Sequence, residues 1–440
     1  MWFYFTFRGG STLLFAGLSF YFSRIFAIFM FMSKEYSRFL GENVKQALRN
    51  RRIVLISGAR QTGKTTLSKQ ISNKNYIYRS LDDTSLLRGA LEDPKGFIKT
   101  NSQTMIIDEI QKAPMLLPEI KLVVDENNRN GQYLLTGSAN LQTLPAVTES
   151  LAGRIKNVRL RTLTVGEILD SKPNFLERAF ALDFPAKIGG YDKRAIINMA
   201  FKGGYPEAVK MKHISDTKEW HKDYINTLML RDLKDISNIK RQDSLEELFK
   251  IMLSWSGKFI DIAGICSKLT ISKPTIETYI NTLVSMFLFD KVSPWIYTDY
   301  DRVGRKSKLY VSDSGLISSI LDWNEQEVAL NPDRSGKLIE TFIYKELVAQ
   351  IDFGKNYSLY QYRDREKREI DFIVEQNDKK LLGIEVKAGH NVSKDDFKHL
   401  EWFKNNLAKK QFKGIVLYSG EHIIPFGKDM LAVPTAALWA

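Results

Sequence analysis

At 440 residues the chain exceeds one ordinary domain and predicts roughly two to four. Hydrophobic residues make up 44% and charged residues 26%, enough apolar material for real cores and too much for a disordered chain. A single cysteine, Cys266, excludes a disulfide scaffold and a cysteine-ligated zinc site, and a net charge of +13 makes a polyanion a natural partner.

The first 31 residues differ from the rest. They hold twelve of the 51 aromatic residues, carry only Arg8 and Arg24, and contain no acid. Their longest uncharged run, Gly9 to Ser23, is shorter than the roughly 20 residues a membrane helix needs. A signal peptide would want a small-residue cleavage site, and none follows. The favoured reading is translation beginning upstream of a true start at Met30 or Met32, ahead of a membrane anchor, a signal or an added helix. From Met32 the composition becomes ordinary, and an amphipathic helix is expected over Glu35 to Asn50.

Arg52 to Ser57 is an apolar run ending in Gly58-Ala59-Arg60-Gln61-Thr62-Gly63-Lys64-Thr65. This is G-x-x-x-x-G-K-[ST] between a strand and a helix that continues from Thr66 to Ile71. The glycines let backbone N–H groups turn inward around phosphate; Lys64 would reach the β- and γ-phosphates and Thr65 would ligate Mg²⁺. Residues Gly58 to Thr66 are therefore the expected ATP-binding loop. A second apolar run, Thr104 to Ile107, ends in Asp108-Glu109, carboxylates at the strand edge where ligands of parallel sheets bind. Asp108 would hold Mg²⁺ through water, and Glu109 would orient the attacking water. The run Gln132 to Leu135 leads to Thr136, Ser138 and Asn140, any of which is a candidate γ-phosphate sensor. Arg154 is a candidate arginine finger, in cis or across a subunit boundary.

The strings Leu81-Asp82-Asp83, Ile106 to Lys121, Leu134 to Asn140, Glu149 to Arg154 and Gly203 to Val209 resemble, in order, the prokaryotic P-loop ATPases of AAA family 14, whose C-terminal part is the domain of unknown function 4143. The resemblance runs from about Met32 to Gly420. It implies an ATP-hydrolysing core, makes Arg154 a functional arginine, and makes a lid over the nucleotide, with Arg231 or Arg194, a plausible use of the helical stretch that follows.

Pro173 to Arg241 is helical and basic, and Tyr224 to Asp232 has apolar spacing suited to a core. Residues 245–295 look like a winged helix-turn-helix: helices at Leu245 to Trp255 and Asp261 to Leu269, then a third with Ser272 at its cap and Pro274 in its first turn. Lys273, Thr275, Glu277, Thr278 and Asn281 would face outward. Asp301 to Lys308 would be the wing, with Arg302, Arg305, Lys306 and Lys308 available to phosphates; plain packing is the equal alternative. Cys266 is a small core residue of the second helix.

Ile370 to Val374 and Leu381 to Val386 read as a hairpin that carries Asp371, Glu385 and Lys387, a D-x13-E-x-K set. Alternation along a strand puts Glu385 and Lys387 on one face with Asp371 beside them. Upstream, the amphipathic helix Lys337 to Leu347 bears Glu340. The arrangement resembles the PD-(D/E)xK nuclease fold, which implies Asp371, Glu385 and Glu340 as Mg²⁺ ligands and Lys387 as the catalytic cation. The expected architecture is α/β: an extension (1–32), a P-loop parallel-sheet ATPase core (33–170), a helical lid (171–244), a winged helix-turn-helix (245–335) and a restriction-endonuclease-like domain (336–440). The expected protein is cytoplasmic, uses ATP and Mg²⁺, and acts on DNA through its C-terminal domain. The rival is an ATP-driven switch whose C-terminal domain binds a partner without cutting it. A protein partner or second copy fits either reading, and a membrane enters only if residues 1–31 belong to the protein.

Overall fold

The computed structural model describes residues 35–100, 102–138, 151–236, 242–296, 306–354, 356–408 and 411–440, with backbone alone at 231–236 and 242. The apolar extension, Asn140, Glu149, the 301–305 part of the expected wing and the Arg231 side chain lie outside the described residues. Ser37 to Ala440 form one unit, to which the following three sheets belong.

The first sheet contains β1 (Ile53–Ser57), β2 (Tyr76–Ser80), β3 (Thr104–Asp108), β4 (Tyr133–Gly137) and β5 (Ile155–Arg159), all parallel, in the order β2-β3-β4-β1-β5. Its central strands are apolar without alternation because both faces are covered. Val54 and Ile56 meet helices α1 (Leu40–Asn50) and α2 (Lys64–Ile71), while Ile53 and Leu55 share a second core with α3 (Leu116–Glu126). Parallel strands end together, so the loop after β1, Asp108 on β3 and Thr136 on β4 arrive at one edge.

Beyond β5 a short helix, α4 (Val165–Leu169), opens on a capping box between Thr164 and Glu167. Helices then lead to α5 (Ile214–Ile236) and α6 (Gln242–Ser254), followed by α7 (Ile262–Leu269) and α8 (Lys273–Ser285). These pack with a small antiparallel sheet of β6 (Lys258–Phe259), β7 (Phe289–Val292) and β8 (Lys308–Val311), ordered β6-β8-β7. On α8, Lys273, Glu277, Thr278 and Asn281 face solvent and Thr275 is half-buried. One expectation fails: Lys308 is not a surface cation. It opens β8 and is 1% exposed, because four residues of apolar strand (Lys308 to Val311) are buried as a block.

The C-terminal part begins with the 23-residue helix α9 (Pro332–Gly354). An antiparallel meander of β9 (Tyr357–Arg363), β10 (Glu369–Gln376) and β11 (Leu381–Lys387) follows, then α10 (Lys398–Phe403) and β12 (Phe412–Tyr418) parallel to β11. Strands β13 (Ile424–Pro425) and β14 (Met430–Pro434) complete the sheet β13-β14-β12-β11-β10-β9. Phe372 on β10 pairs with Ile384 on β11, so the next positions outward, Asp371 and Glu385, fall opposite each other. Among the described residues no helix is long and apolar enough to cross a membrane.

Candidate functional site

The loop from Gly58 to Lys64 is a closed turn of backbone around one ammonium. Gly58 must be glycine: a Cβ there would lie 2.2 Å from the Leu160 carbonyl oxygen, and its φ is +153°. Thr62 is buried and returns its hydroxyl to the Ala59 carbonyl at 2.9 Å. Arg60, Gln61 and Thr66 are exposed, and the Gly63 backbone is left-handed as it enters α2. Lys64 is 4% exposed and donates to the carbonyls of Gly58 (3.0 Å) and Ala59 (2.8 Å). Burial lowers its pKa to about 8, only partly countered by Glu109 and Asp108.

Thr65 donates to Asp108 at 2.9 Å, and Asp108 also accepts from Tyr78 at 2.9 Å and from Thr136. The Glu109 N–H bonds the Thr136 hydroxyl at 3.1 Å, and its carboxylate meets the Gln111 amide and, at 3.4 Å, the Ser138 hydroxyl. Glu109 has φ +60°, a left-handed backbone that turns its side chain off the strand line. Thr136 is thus tied to Asp108 and Ser138 to Glu109. The oxygen donors Thr65 and Asp108 and the glycine cradle fit a Mg²⁺-nucleotide.

Arg154 sits elsewhere. It precedes β5 at the opposite edge of the sheet and makes a paired contact with Asp125 (2.5 and 2.9 Å). A parallel strand of five residues spans roughly 16 Å, so Arg154 does not reach its own phosphate loop and the cis finger is ruled out. Arg38 was not foreseen and is close: it donates to the carbonyls of Thr62 (2.7 Å) and Arg161 (2.6 Å) and pairs with Glu167 at 3.0 Å. On the other side, Tyr224 of α5 donates to the Arg60 carbonyl at 3.1 Å.

Behind the loop, Leu160 binds the Ser57 carbonyl through its N–H (2.7 Å), and its neighbours leave the sheet as an ionic network around the buried Asp290. Arg159 and Arg161 both grip Asp290 of β7 (2.5 and 2.6 Å); Arg161 also takes Asp352 of α9 at 2.6 Å, and Tyr344 of α9 donates to Asp290 at 2.8 Å. Burial pushes the Asp290 carboxyl up, but the two guanidinium groups and the Tyr344 hydroxyl hold it well below the usual range.

The C-terminal carboxylates form a second cluster. Tyr344 stacks on Tyr310 with centroids 4.4 Å apart, and Tyr310 donates to Glu340 at 2.6 Å. Lys308, two residues earlier on the same face of β8, lies 3.4 Å from Glu340, 2.6 Å from Glu369 and 3.6 Å from Asp371. Asp371 also accepts the Val386 N–H at 2.9 Å. Glu385 is half-buried with one buried oxygen unpartnered, and desolvation plus the neighbouring Asp371 raise its pKa well above the carboxylate range. Lys387 is 40% exposed and pairs with Asp396 at 3.3 Å. The expected ligands Glu340, Asp371 and Glu385 are brought to one region, yet among the described residues no three acidic, histidine or cysteine side chains are arranged to hold a metal ion. The buried cation beside them is Lys308. Its only sequence signal was the period-two pairing of Lys308 with Tyr310 in an apolar strand.

Family models match three stretches of the chain. One describes residues 50–169 as an AAA domain (AAA_14). The chain carries a P-loop ATPase domain. ATP is the nucleotide of such a domain, and its match spans the loop, Asp108, Glu109 and the strand leading to Arg159. A domain of unknown function, DUF4143, covers 335–438, and another, DUF8612, covers 193–327 across the expected boundary at residue 244. An uncharacterised protein of Mycobacterium tuberculosis is 25% identical over 391 residues, 89% of this chain and 82% of that one. An uncharacterised protein of Methanocaldococcus jannaschii is 24% identical over 424 residues, 89% and 91% of the two chains. Among solved structures, the RuvB Holliday junction branch migration motor of Thermotoga maritima overlaps 57% of this chain and 88% of its own at 14% identity, with a TM-score of 0.26. A signal transduction ATPase with a tetratricopeptide repeat sensor from Pyrococcus horikoshii overlaps 71% and 46% at 14% identity and a TM-score of 0.17, and neither overlap is close enough to carry an argument.

Proposed function

We propose that this chain is a cytoplasmic, Mg²⁺-dependent ATPase that works as a switch, in which nucleotide at the loop biases a C-terminal domain that holds DNA without cutting it. The observation that carries the reading is the ionic network of Arg159, Arg161, Asp352 and Tyr344 around the buried Asp290, which ties the strand lying on Gly58 to helix α9. A change in the loop on phosphate binding has a stiff, charged route to that helix. Within the nucleotide site Lys64 would leave the Gly58 and Ala59 carbonyls for the β- and γ-phosphates, and Thr65 with Asp108 would hold Mg²⁺, which offsets phosphate charge. Glu109, oriented by Gln111 and Ser138, would position the attacking water. Arg154 would serve as a finger only toward a neighbouring copy. DNA is favoured as partner by charge, since the chain without its apolar extension still carries eleven more cations than acids.

A second reading, cleavage of DNA, is favoured by the order α9, β9-β10-β11, α10, β12 and by Asp371 lying opposite Glu385, the arrangement of a PD-(D/E)xK domain with Lys387 as its cation. Mg²⁺-dependent ATP hydrolysis, DNA binding across a salt titration and DNA cleavage, each measured for wild type, Lys64→Ala and Asp371→Ala, separate the two. The switch expects ATP-dependent DNA binding with no cut product. Cleavage that disappears in Asp371→Ala would replace it with the nuclease, and no binding at low salt would remove DNA from both.

A further inference from the structure

Four carboxylates face one another where β10 and β11 meet α9, and three of them are already occupied by the same cation. Lys308 reaches them from outside the C-terminal sheet, on β8, and is 1% exposed. Its ammonium lies within 3.6 Å of Glu340, Glu369 and Asp371. Each of the three has one further partner. Glu340 receives the Tyr310 hydroxyl, Asp371 the Val386 N–H, and Glu369 the Arg363 guanidinium at 3.7 Å. Only Glu385 retains a buried oxygen without a partner, and one carboxylate does not make a site for Mg²⁺, which needs near-octahedral oxygen ligation.

The elements that deliver Lys308 pack closely against the carboxylates. Gly257, just before β6, lies so close that a Cβ would sit 3.0 Å from a Glu340 oxygen. β8 is hydrogen-bonded between β6 and β7. Trp295, just past β7, donates its backbone N–H to the Gln361 backbone carbonyl on β9 at 2.6 Å, and Gln361 returns its backbone N–H to the Ser293 carbonyl at 3.0 Å. The small sheet is thereby docked on the C-terminal sheet, and Lys308 is held in place by backbone as well as by charge.

We propose that Lys308 is the resident cation of this cluster, a tethered ammonium standing where a divalent ion would bind, so that the cluster takes no Mg²⁺ or Mn²⁺ while β8 is docked. The proposal deepens the non-cutting reading and explains it at one residue. It differs from the loss of a metal ligand, since every expected acid is present and the site is filled from another part of the chain.

The test is Mn²⁺ binding by titration calorimetry on the full chain, without nucleotide or DNA, so that failure here is separate from failure of the ATPase or DNA reading. Wild type and Asp371→Asn are expected to give the same isotherm, because no Mn²⁺ depends on Asp371. Lys308→Met is expected to gain one Mn²⁺ equivalent, lost again in Lys308→Met/Asp371→Asn, and a higher melting temperature with Mn²⁺ that wild type does not show. An Asp371-dependent Mn²⁺ in the wild type overturns the proposal, a comparison that needs no Lys308 variant to fold. A folded Lys308→Met that gains no Mn²⁺ overturns it equally.

Discussion

Two buried lysines, one in the phosphate loop and one packed against the C-terminal sheet, show what an ammonium's partners decide. Lys64 is held by two neutral carbonyls in a glycine loop, and burial lowers its pKa to about 8. Lys308 is equally buried, yet Glu340, Asp371 and Glu369 outweigh that burial and raise its pKa well above the usual lysine value. The first ammonium is under-compensated and ready for an anion. The second is neutralised, and in being neutralised it withdraws three carboxylates from metal chemistry. Both sites combine a buried lysine with acids, and the chemistry open to each follows from which group is left short of a partner.

The largest expected effect tests that contrast on stability. Lys308→Met leaves half-buried acids facing one another without their buried cation and should cost about 3–5 kcal/mol, read from urea unfolding, as breaking a desolvated charge cluster does. Adding Glu340→Gln and Asp371→Asn should recover part of the loss; no recovery would mean that Lys308 acts through packing instead. Lys64→Ala should behave oppositely. It leaves only carbonyls behind, so unfolding should be little changed while ATP turnover falls about 10²–10³-fold, the scale for loss of one charge-stabilising donor. Asp290→Asn keeps the hydrogen-bonding shape but removes the charge between Arg159 and Arg161. It should cost about 1.5–3 kcal/mol and abolish any effect of ATP on DNA affinity, with basal ATP hydrolysis retained.

A smaller effect depends on pH. Burial raises the Glu346 carboxyl from 4.5 to about 7, although Lys345 and the Val165 N–H favour its charged form. The folded chain therefore keeps a proton that the unfolded chain releases, and stability should fall as pH rises from about 4.5 to about 7. Thermal melting across that range should show a shallower decline in Glu346→Gln; an equal decline would assign the slope to other groups. The smallest effect is expected for Arg154→Ala. Its exposed pair with Asp125 should leave the melting temperature unchanged. If ATP turnover nevertheless falls, and does so only at protein concentrations where copies associate, Arg154 acts across a subunit boundary.

Legibility in the sequence followed how local each interaction is. The phosphate loop was readable because a strand, a glycine turn and a helix start are contiguous, and Asp108-Glu109 because a buried strand ending in two acids is a local pattern. Asp371 and Glu385 were readable because a hairpin places residues fourteen apart across from each other. Arg38 and Tyr78 carried no local signal: each reaches the nucleotide edge by a contact that exists only once the parallel sheet has formed. Lys308 misled, because a lysine after Arg302, Arg305 and Lys306 reads as part of a basic loop, and strand register rather than neighbouring charge sets its direction.

By itself, then, the sequence determined that the chain is an α/β P-loop ATPase with a second acidic constellation on a C-terminal hairpin, since both depend on spacing within a single element or between adjacent ones. Only the tertiary structure decided which cation meets those acids and that Arg154 stands away from its own phosphate loop. The reason is physical: alternation and parallel register fix side-chain direction at distances of a few residues, whereas the partner of a buried charge is chosen by whichever distant strand is packed against it.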